Sequence, residues 1–200
     1  MDPSGSAILQ VAGFDLVRQV VAGLSAMHKL GFVHRDIKSQ NILLENVSES
    51  MDGDVIHAVI CDFGLAKNSD SVVSQVSSNA EIFGFSPRYA APEVFALARN
   101  GGQMSAAAEM KTDVYSFGIV VHEILSVTQA WGKMDIREVE MRVRAGERPA
   151  DPVVGTSDKE QLLFQLMKSS MSQDPQERPL LPVVEQTFIT NFPPEEKMDE

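Results

Sequence analysis

The segment over residues 112–127 is apolar on nearly all sides and constrains the fold more than any other part of the sequence. A helix with one apolar stripe covers a core from one side, whereas a helix that is apolar all round has to be surrounded by other elements. The segment is too short to span a membrane, and His122 and Glu123 interrupt it. We therefore predict a helix at the centre of a single core, which a chain of 200 residues is long enough to build.

Further helix and strand patterns lie on both sides of this segment. Apolar residues recur at three- and four-residue steps over residues 14–30, which predicts a helix that stops at Gly31. The other predicted elements are strands at 42–44 and 55–60, a mobile Ser-rich loop at 68–79, and helices at 136–145, 159–170 and 182–190. One β-hairpin among many helices is a mainly helical α+β fold. We predict one domain over residues 1–190 and an acidic, flexible tail over residues 191–200.

The charge of the chain limits the class of its partners. Its 17 Lys and Arg residues stand against 28 Asp and Glu residues, which leaves a net charge of −11. Such a chain repels the phosphate backbone of nucleic acids, so no nucleic-acid partner is expected. The single cysteine, Cys61, excludes an internal disulfide, and the N-terminus lacks the basic residues of a signal peptide. We expect a soluble, intracellular protein of the cytoplasm, without a membrane span.

Three short motifs follow one another along the chain, namely HRDIKSQN at residues 34–41, Asp62-Phe63-Gly64, and Ala91-Pro92-Glu93. The first two carry the groups that phosphoryl transfer needs: an aligned hydroxyl, neutralised phosphate oxygens and a proton acceptor. The Asp36 carboxylate can orient a hydroxyl and take its proton, and Lys38 can place a positive charge on the transferred phosphate. The Asp62 carboxylate and the Asn41 amide oxygen are hard ligands suited to Mg²⁺.

These motifs resemble the catalytic loop, the metal-binding motif and the APE segment of eukaryotic protein kinases, and the resemblance to the C-terminal lobe of that family covers residues 14–190. Residues 36–43 and 113–118 look most like the tyrosine-kinase-like group of Ser/Thr kinases. The resemblance implies ATP and Mg²⁺ as cofactors and a protein as substrate. It implies these roles: Asp36 as catalytic base, Lys38 as phosphate contact, Asn41 and Asp62 as nucleotide and metal ligands, and Leu43 as the apolar floor beneath the adenine.

The same resemblance assigns residues around the catalytic loop, which we define as residues 34–41. Lys38 and Ser86 indicate Ser/Thr specificity, because in the family a hydroxyl at the position of Ser86 bonds the catalytic Asp and Lys. Phe85 departs from the family, which has Gly at this position. The structural roles that the resemblance implies fall on His34, Phe63, Asp113, which holds the backbone of the catalytic loop, and Glu93, which pairs with Arg178.

Arg35 belongs, by the same resemblance, to the kinases in which the Arg before the catalytic Asp receives a phosphorylated residue of the activation segment. The stretch just before Ser86 has no hydroxyl. Two hypotheses follow for the partner of Arg35. Either the carboxylate of Glu81 replaces the phosphate, or a phosphate on Ser77 or Ser78 reaches Arg35.

The upper, N-terminal lobe of the family is predicted to be absent from this chain. Upstream of His34 the only lysine is Lys29, and no G-x-G-x-x-G motif precedes it. Three interpretations remain open. The chain is a fragment or truncated form of an active protein Ser/Thr kinase, a catalytically silent kinase-lobe interaction module, or a small-molecule phosphotransferase. We expect weak nucleotide binding by the chain alone, with a missing N-lobe or upstream domains as possible partners.

Overall fold

The computed structural model describes residues 3–47, 55–68 and 85–193. The helices are α1 Pro3–Lys29, α2 Pro92–Asn100, α3 Ala106–Ser126, α4 Ile136–Arg144, α5 Asp158–Ser170 and α6 Leu181–Asn191, and the strands are β1 Phe32–Val33, β2 Ile42–Val47, β3 Val55–Ile60 and β4 Lys67–Asn68. The predicted mainly helical α+β architecture is confirmed.

Helix α3 lies at the centre of the core, as its sequence predicts. Consecutive buried residues from Ile119 to Glu123 cover more than one full turn, so every face of the helix is covered. The helix begins six residues before the predicted start, because Ser105 caps it by accepting a hydrogen bond from the Ala108 amide. Gly118 lets the end of α5 approach closely, since a Cβ at this position would lie 2.8 Å from Met171 Cγ.

Helix α1 packs against α3, α6 and β3 and begins at Pro3 rather than at the predicted residue 14. Proline is favoured in the first turn of a helix. The helix also continues through Gly13, where a Cβ would lie 3.0 Å from Ile124 Cγ2 of α3. The ring of Phe14 packs edge-on against Phe188 of α6, with 5.2 Å between the ring centroids.

The strands form two separate two-stranded antiparallel sheets rather than the single hairpin that the sequence predicts. Strands β2 and β3 are the predicted hairpin, with Ile42 opposite Ile60, but β2 runs three residues beyond its predicted end, to Val47. Strand β1 pairs with β4, so that Phe32 lies opposite Asn68. Two-residue strands show no alternation in sequence, which is why this pairing escaped prediction. Of the predicted loop 68–79, Asn68 is in β4 and the remainder lies outside the described residues.

The later helices agree closely with prediction, and one helix was missed. Helices α4, α5 and α6 begin and end within one residue of their predicted bounds. Helix α2, with Pro92 in its first turn and Phe95 buried, was not predicted because nine residues are too few for a helical period to stand out. Helix α6 includes Asn191, and residues 194–200 of the predicted tail lie outside the described residues. None of the described helices combines the length and the apolar composition that a membrane span requires.

Candidate active site

The carboxylate of Asp36 is the point on which the polar side chains of this site converge. Asp36 is 7% exposed. Its Oδ2 atom accepts hydrogen bonds from Lys38 Nζ at 2.5 Å and from Asn41 Nδ2 at 3.1 Å. Its Oδ1 atom accepts a hydrogen bond from the Ser86 hydroxyl at 2.7 Å. The structure therefore brings four of the predicted site residues into direct contact.

The orientation of the Asn41 amide follows from its neighbours. Its Nδ2 group donates to the backbone oxygen of Asp36 at 2.8 Å and also to Oδ2 of the same residue. Both partners are acceptors, so the NH₂ group has to face Asp36, and these contacts leave the amide oxygen uncommitted. The Cys61 amide donates to the backbone oxygen of Asn41 at 2.9 Å, which places the residue before Asp62 beside Asn41.

Asp62 and Asn41 are the oxygen donors predicted for Mg²⁺. Asp62 is exposed and has a left-handed backbone with φ of 64°, a conformation that clusters at functional sites in residues other than glycine. No group of three or more His, Cys, Asp or Glu side chains in the described residues could hold a metal ion. Mg²⁺ does not require such a cage, because it binds one or two carboxylates together with waters and substrate phosphates. The donors present therefore fit Mg²⁺ when it is bound with a nucleotide.

His34 connects the catalytic loop to the segment that leads into Asp62. The ring is fully buried, with Nε2 3.1 Å from the carbonyl oxygen of Cys61 and Nδ1 3.3 Å from the Asp36 amide nitrogen. A carbonyl can only accept, so Nε2 carries the proton and Nδ1 accepts from the Asp36 amide. The Phe63 ring lies 5.3 Å from the His34 ring, although Phe63 is 54% exposed. Cys61 itself is half-buried.

Asp113 holds the first residues of the catalytic loop through their backbone, as the resemblance implies. Its Oδ2 atom accepts from the His34 amide and its Oδ1 atom from the Arg35 amide, each at 2.8 Å. The His28 ring lies 3.1 Å from Oδ2, which adds a contact from α1. The Arg35 side chain donates to Glu109 at 2.6 Å, a partner that sequence reasoning missed. The partners that the sequence analysis offered, Glu81, Ser77 and Ser78, lie outside the described residues.

Ser86 is held from both sides. Its hydroxyl accepts a hydrogen bond from Lys38 Nζ at 3.2 Å while it donates to Asp36. The preceding residue, Phe85, turns its ring onto Phe95 of α2, with 5.7 Å between centroids and nearly perpendicular planes. The residue that departs from the family thus packs against the core beside the site, and edge-to-face pairs of this kind are favourable.

Glu123 is a third buried carboxylate at the site, after Asp36 and Asp113, and sequence reasoning assigned it no role. It is 8% exposed and accepts hydrogen bonds from Ser39 of the catalytic loop, from the Tyr89 hydroxyl at 2.9 Å and from the Ala130 amide at 2.9 Å. Burial, and then the charge of Glu123, raise the pKa of Tyr89 to about 12. The sequence signal that could have indicated this site is an acidic residue inside an otherwise apolar, buried helix, because a buried charge needs several hydrogen-bond partners.

Glu93 and Arg178 form the ion pair expected between the APE segment and the end of the chain. The guanidinium of Arg178 donates to both Glu93 oxygens, at 2.6 and 2.9 Å, and its side chain is fully buried. It also donates to the backbone oxygens of Lys111 and Ser172 and lies over the Tyr115 ring. The pair fastens α2 to the helices that follow it.

Leu43 lies on β2, on the strand that leaves the catalytic loop, and is 49% exposed. It is therefore not a leucine of the core. Several other exposed apolar side chains occur on the strands and around the second motif: Phe32, Leu44, Val59, Phe63 and Leu65. Leu43 lies opposite Val59 of β3, the strand that leads to the Asp62-Phe63-Gly64 motif, and its apolar side chain is accessible.

The family model of the protein kinase domain matches residues 8–189 of the chain. This chain belongs to the protein kinase family. The resemblance on which the sequence analysis relied is thereby confirmed, and the contacts around Asp36 belong to a protein kinase.

Several kinases are similar to this chain over most of its length. A light-sensor protein kinase of Ceratodon purpureus is 33% identical over 89% of the chain, and a mitogen-activated protein kinase kinase kinase of Cytospora mali is 32% identical over 82%. The serine/threonine-protein kinase Nek9 of Mus musculus is 29% identical over 80% of the chain. The chain spans only 14%, 8% and 14% of the length of these relatives, respectively.

Proposed function

We propose that this chain carries the catalytic face of a protein Ser/Thr kinase of the tyrosine-kinase-like group, which transfers the γ-phosphoryl group of ATP to Ser or Thr hydroxyls of a protein substrate. The observation that carries the proposal is the convergence of Lys38, Asn41 and Ser86 on the Asp36 carboxylate. A carboxylate that served only as a helix cap or a surface charge would not need three side-chain donors from two separate segments.

Asp36 is the catalytic base in this proposal. A carboxylate offers about four acceptor positions, and donors among the described residues occupy three of them, which leaves one for the hydroxyl of a substrate within this part of the chain. The hydrogen bond that the Ser86 hydroxyl donates to Oδ1 supports this role, because it is the kind of contact that a substrate hydroxyl would make. On transfer, the substrate proton passes to the Asp36 carboxylate as the substrate oxygen bonds to phosphorus.

Lys38, Asn41 and Asp62 supply the groups that would contact the phosphates and Mg²⁺ in this proposal. The Lys38 ammonium has three N–H donors, and its partners among the described residues, Asp36 and Ser86, use two of them, so a third can reach a phosphate oxygen. The Asn41 amide oxygen and the Asp62 carboxylate would hold Mg²⁺. Bound Mg·ATP supplies the phosphoryl group and releases ADP, while the chain's own residues orient the acceptor and take its proton.

The Glu93–Arg178 pair supports a protein substrate over a small molecule. In the resemblance this pair organises the segment on which a peptide docks, and here it joins α2 to a buried arginine. We further propose that the Gly-rich loop and the strand lysine come from a separate N-terminal lobe, since the sequence contains no G-x-G-x-x-G motif upstream of His34. The exposed side chain of Leu43 is then the adenine floor.

The test is phosphoryl transfer from labelled ATP to a protein substrate, measured on a protein in which a kinase N-terminal lobe precedes these residues. Asp36→Asn should lower kcat by at least about 100-fold, because it removes the proton acceptor, while nucleotide binding stays close to that of the parent. Asp151→Asn is the matched control, because Asp151 is an exposed acid paired only with Lys168 in the described residues.

Two outcomes would contradict the proposal. If Asp36→Asn transfers phosphate as fast as the parent and as Asp151→Asn, Asp36 is not the base. If neither the parent nor the control transfers phosphate while both bind Mg·ATP, the chain is a silent interaction module. Calorimetry on the chain alone tests whether nucleotide binding needs an N-terminal lobe. A sub-micromolar affinity for Mg·ATP would mean that these residues bind the nucleotide without one.

A further inference from the structure

Arg35 is the residue of the catalytic loop whose backbone most needs support. It has a φ of 71°, a left-handed conformation that is strained for a residue with a Cβ. It also directly precedes Asp36, so any relaxation of its backbone would rotate the carboxylate on which Lys38 and Ser86 converge. Strained backbones persist where the surrounding contacts determine them from several sides.

Two acidic residues of α3 accept hydrogen bonds from Arg35. Asp113 accepts a hydrogen bond from its backbone amide at 2.8 Å, and Glu109 accepts one from its guanidinium NH2 at 2.6 Å. Residues four apart lie one above the other on the same face of a helix, so the two carboxylates form one acidic edge. The backbone and the side chain of Arg35 are thereby held by the same rigid element.

The Glu109 carboxylate is placed for this contact and for no other cation in the part of the chain that the structure describes. Its side chain is 14% exposed, and its one ion pair there is with Arg35. It lies in the first turn of α3, where the helix dipole favours a negative charge. The nearby Lys111 donates instead to the backbone oxygen of Arg178.

We propose that Glu109 is a positioning residue whose carboxylate is a built-in counter-ion for Arg35, in the place that a phosphate of the activation segment takes in other kinases. The catalytic loop then keeps its geometry without phosphorylation of that segment. The inference rests on the proposed kinase function only for its consequence in catalysis, because the contact itself belongs to the folded chain. A phosphate carries more charge than a carboxylate, so it can replace Glu109 when the carboxylate is removed.

The test is hydrogen exchange of the 200-residue chain, read at the amides of His34 and Arg35, which donate to Asp113. Glu109→Gln should raise exchange at these two amides roughly tenfold, because a hydrogen bond to a charged group is lost beside a strained backbone. Exchange in α5 should not change. The matched control is Glu140→Gln, which removes a helix carboxylate paired with Arg144 at 3.6 Å, far from the loop in sequence.

Inorganic phosphate is the probe for the counter-ion role. At millimolar concentration it should restore protection of the two amides in Glu109→Gln and leave the parent unchanged. If Glu109 only stabilised the helix, Glu109→Gln would instead raise exchange throughout α3, and added phosphate would not restore protection. The proposal is overturned if Glu109→Gln exchanges like Glu140→Gln, or if phosphate fails to restore protection. No nucleotide or substrate is present, so failure of the kinase proposal cannot produce either result.

Discussion

The buried guanidinium of Arg178 makes a sharp prediction about stability. Arg178→Met keeps most of the volume of the side chain but removes its charge and all of its donors. Four donor contacts disappear, two to the Glu93 carboxylate and one each to the backbone oxygens of Lys111 and Ser172. The Glu93 side chain is 21% exposed, so water can replace only part of what it loses.

Breaking a buried pair by removing one partner costs about 3–5 kcal/mol, because a desolvated charge is left uncompensated. Because Glu93 is partly exposed, we expect Arg178→Met to lower the free energy of unfolding by an amount in the lower half of this range, about 3–4 kcal/mol. For a chain of this length that corresponds to a fall in Tm of roughly 10 °C. Urea unfolding followed by circular dichroism measures the free energy directly.

A surface pair on another helix provides the control. Arg142 is 39% exposed and pairs with Glu138 one turn away, so Arg142→Met should cost no more than about 1 kcal/mol. The double variant Arg178→Met with Glu93→Met should be no less stable than Arg178→Met alone, because it also removes the orphaned charge. The reasoning fails if Arg178→Met costs as little as Arg142→Met. If Arg178→Met does not fold, Glu93→Gln, which leaves the arginine charge buried, should still cost more than Arg142→Met.

Two further predictions concern alkaline pH and close packing. Burial raises the pKa of Tyr115 to about 12, and burial together with Glu123 does the same for Tyr89. The phenols of the unfolded chain titrate near pH 10 and release their protons first, so the free energy of unfolding falls as pH rises from about 10 to about 12. The appearance of tyrosinate absorbance near pH 10 in a chain that is still helical would refute this prediction. Gly118→Ala should lower the free energy of unfolding, measured in urea, by about 1–3 kcal/mol, because the added Cβ would lie 2.8 Å from Met171 Cγ. Helix propensity alone predicts the opposite sign, so a variant as stable as the parent would show that α5 moves aside without cost.

The parts of this protein that residue patterns could predict without the family resemblance are those whose determinants lie close together in the chain. The catalytic loop places Asp36, Lys38 and Asn41 within six residues, so their type and spacing were enough to indicate phosphoryl transfer. Helices α4 and α5 began where expected because Asp135 and Ser157 cap them by accepting hydrogen bonds from amides of the first turn.

The parts that were missed depend on partners far away in the sequence. The pairing of β1 with β4 involves two residues on each strand, too few for any period to show. The contact of Arg35 with Glu109 spans 74 positions, and that of Ser39 with Glu123 spans 84. Each acid has an ordinary local setting, in the first turn of a helix or within it, that does not say which side chain it will face.

By itself, the amino-acid sequence determined the central position of α3 and the chemical groups of the site, because an all-round apolar helix has to be buried and because the motif residues are contiguous. Only the tertiary structure decided three other contacts: the Asn41 amide turns its nitrogen toward Asp36, Glu109 pairs with Arg35, and Glu123 accepts a hydrogen bond from Ser39. The physical reason is that such contacts depend on how whole helices pack against one another. That packing is the sum of many weak contacts along each interface, and no local pattern of residues encodes it.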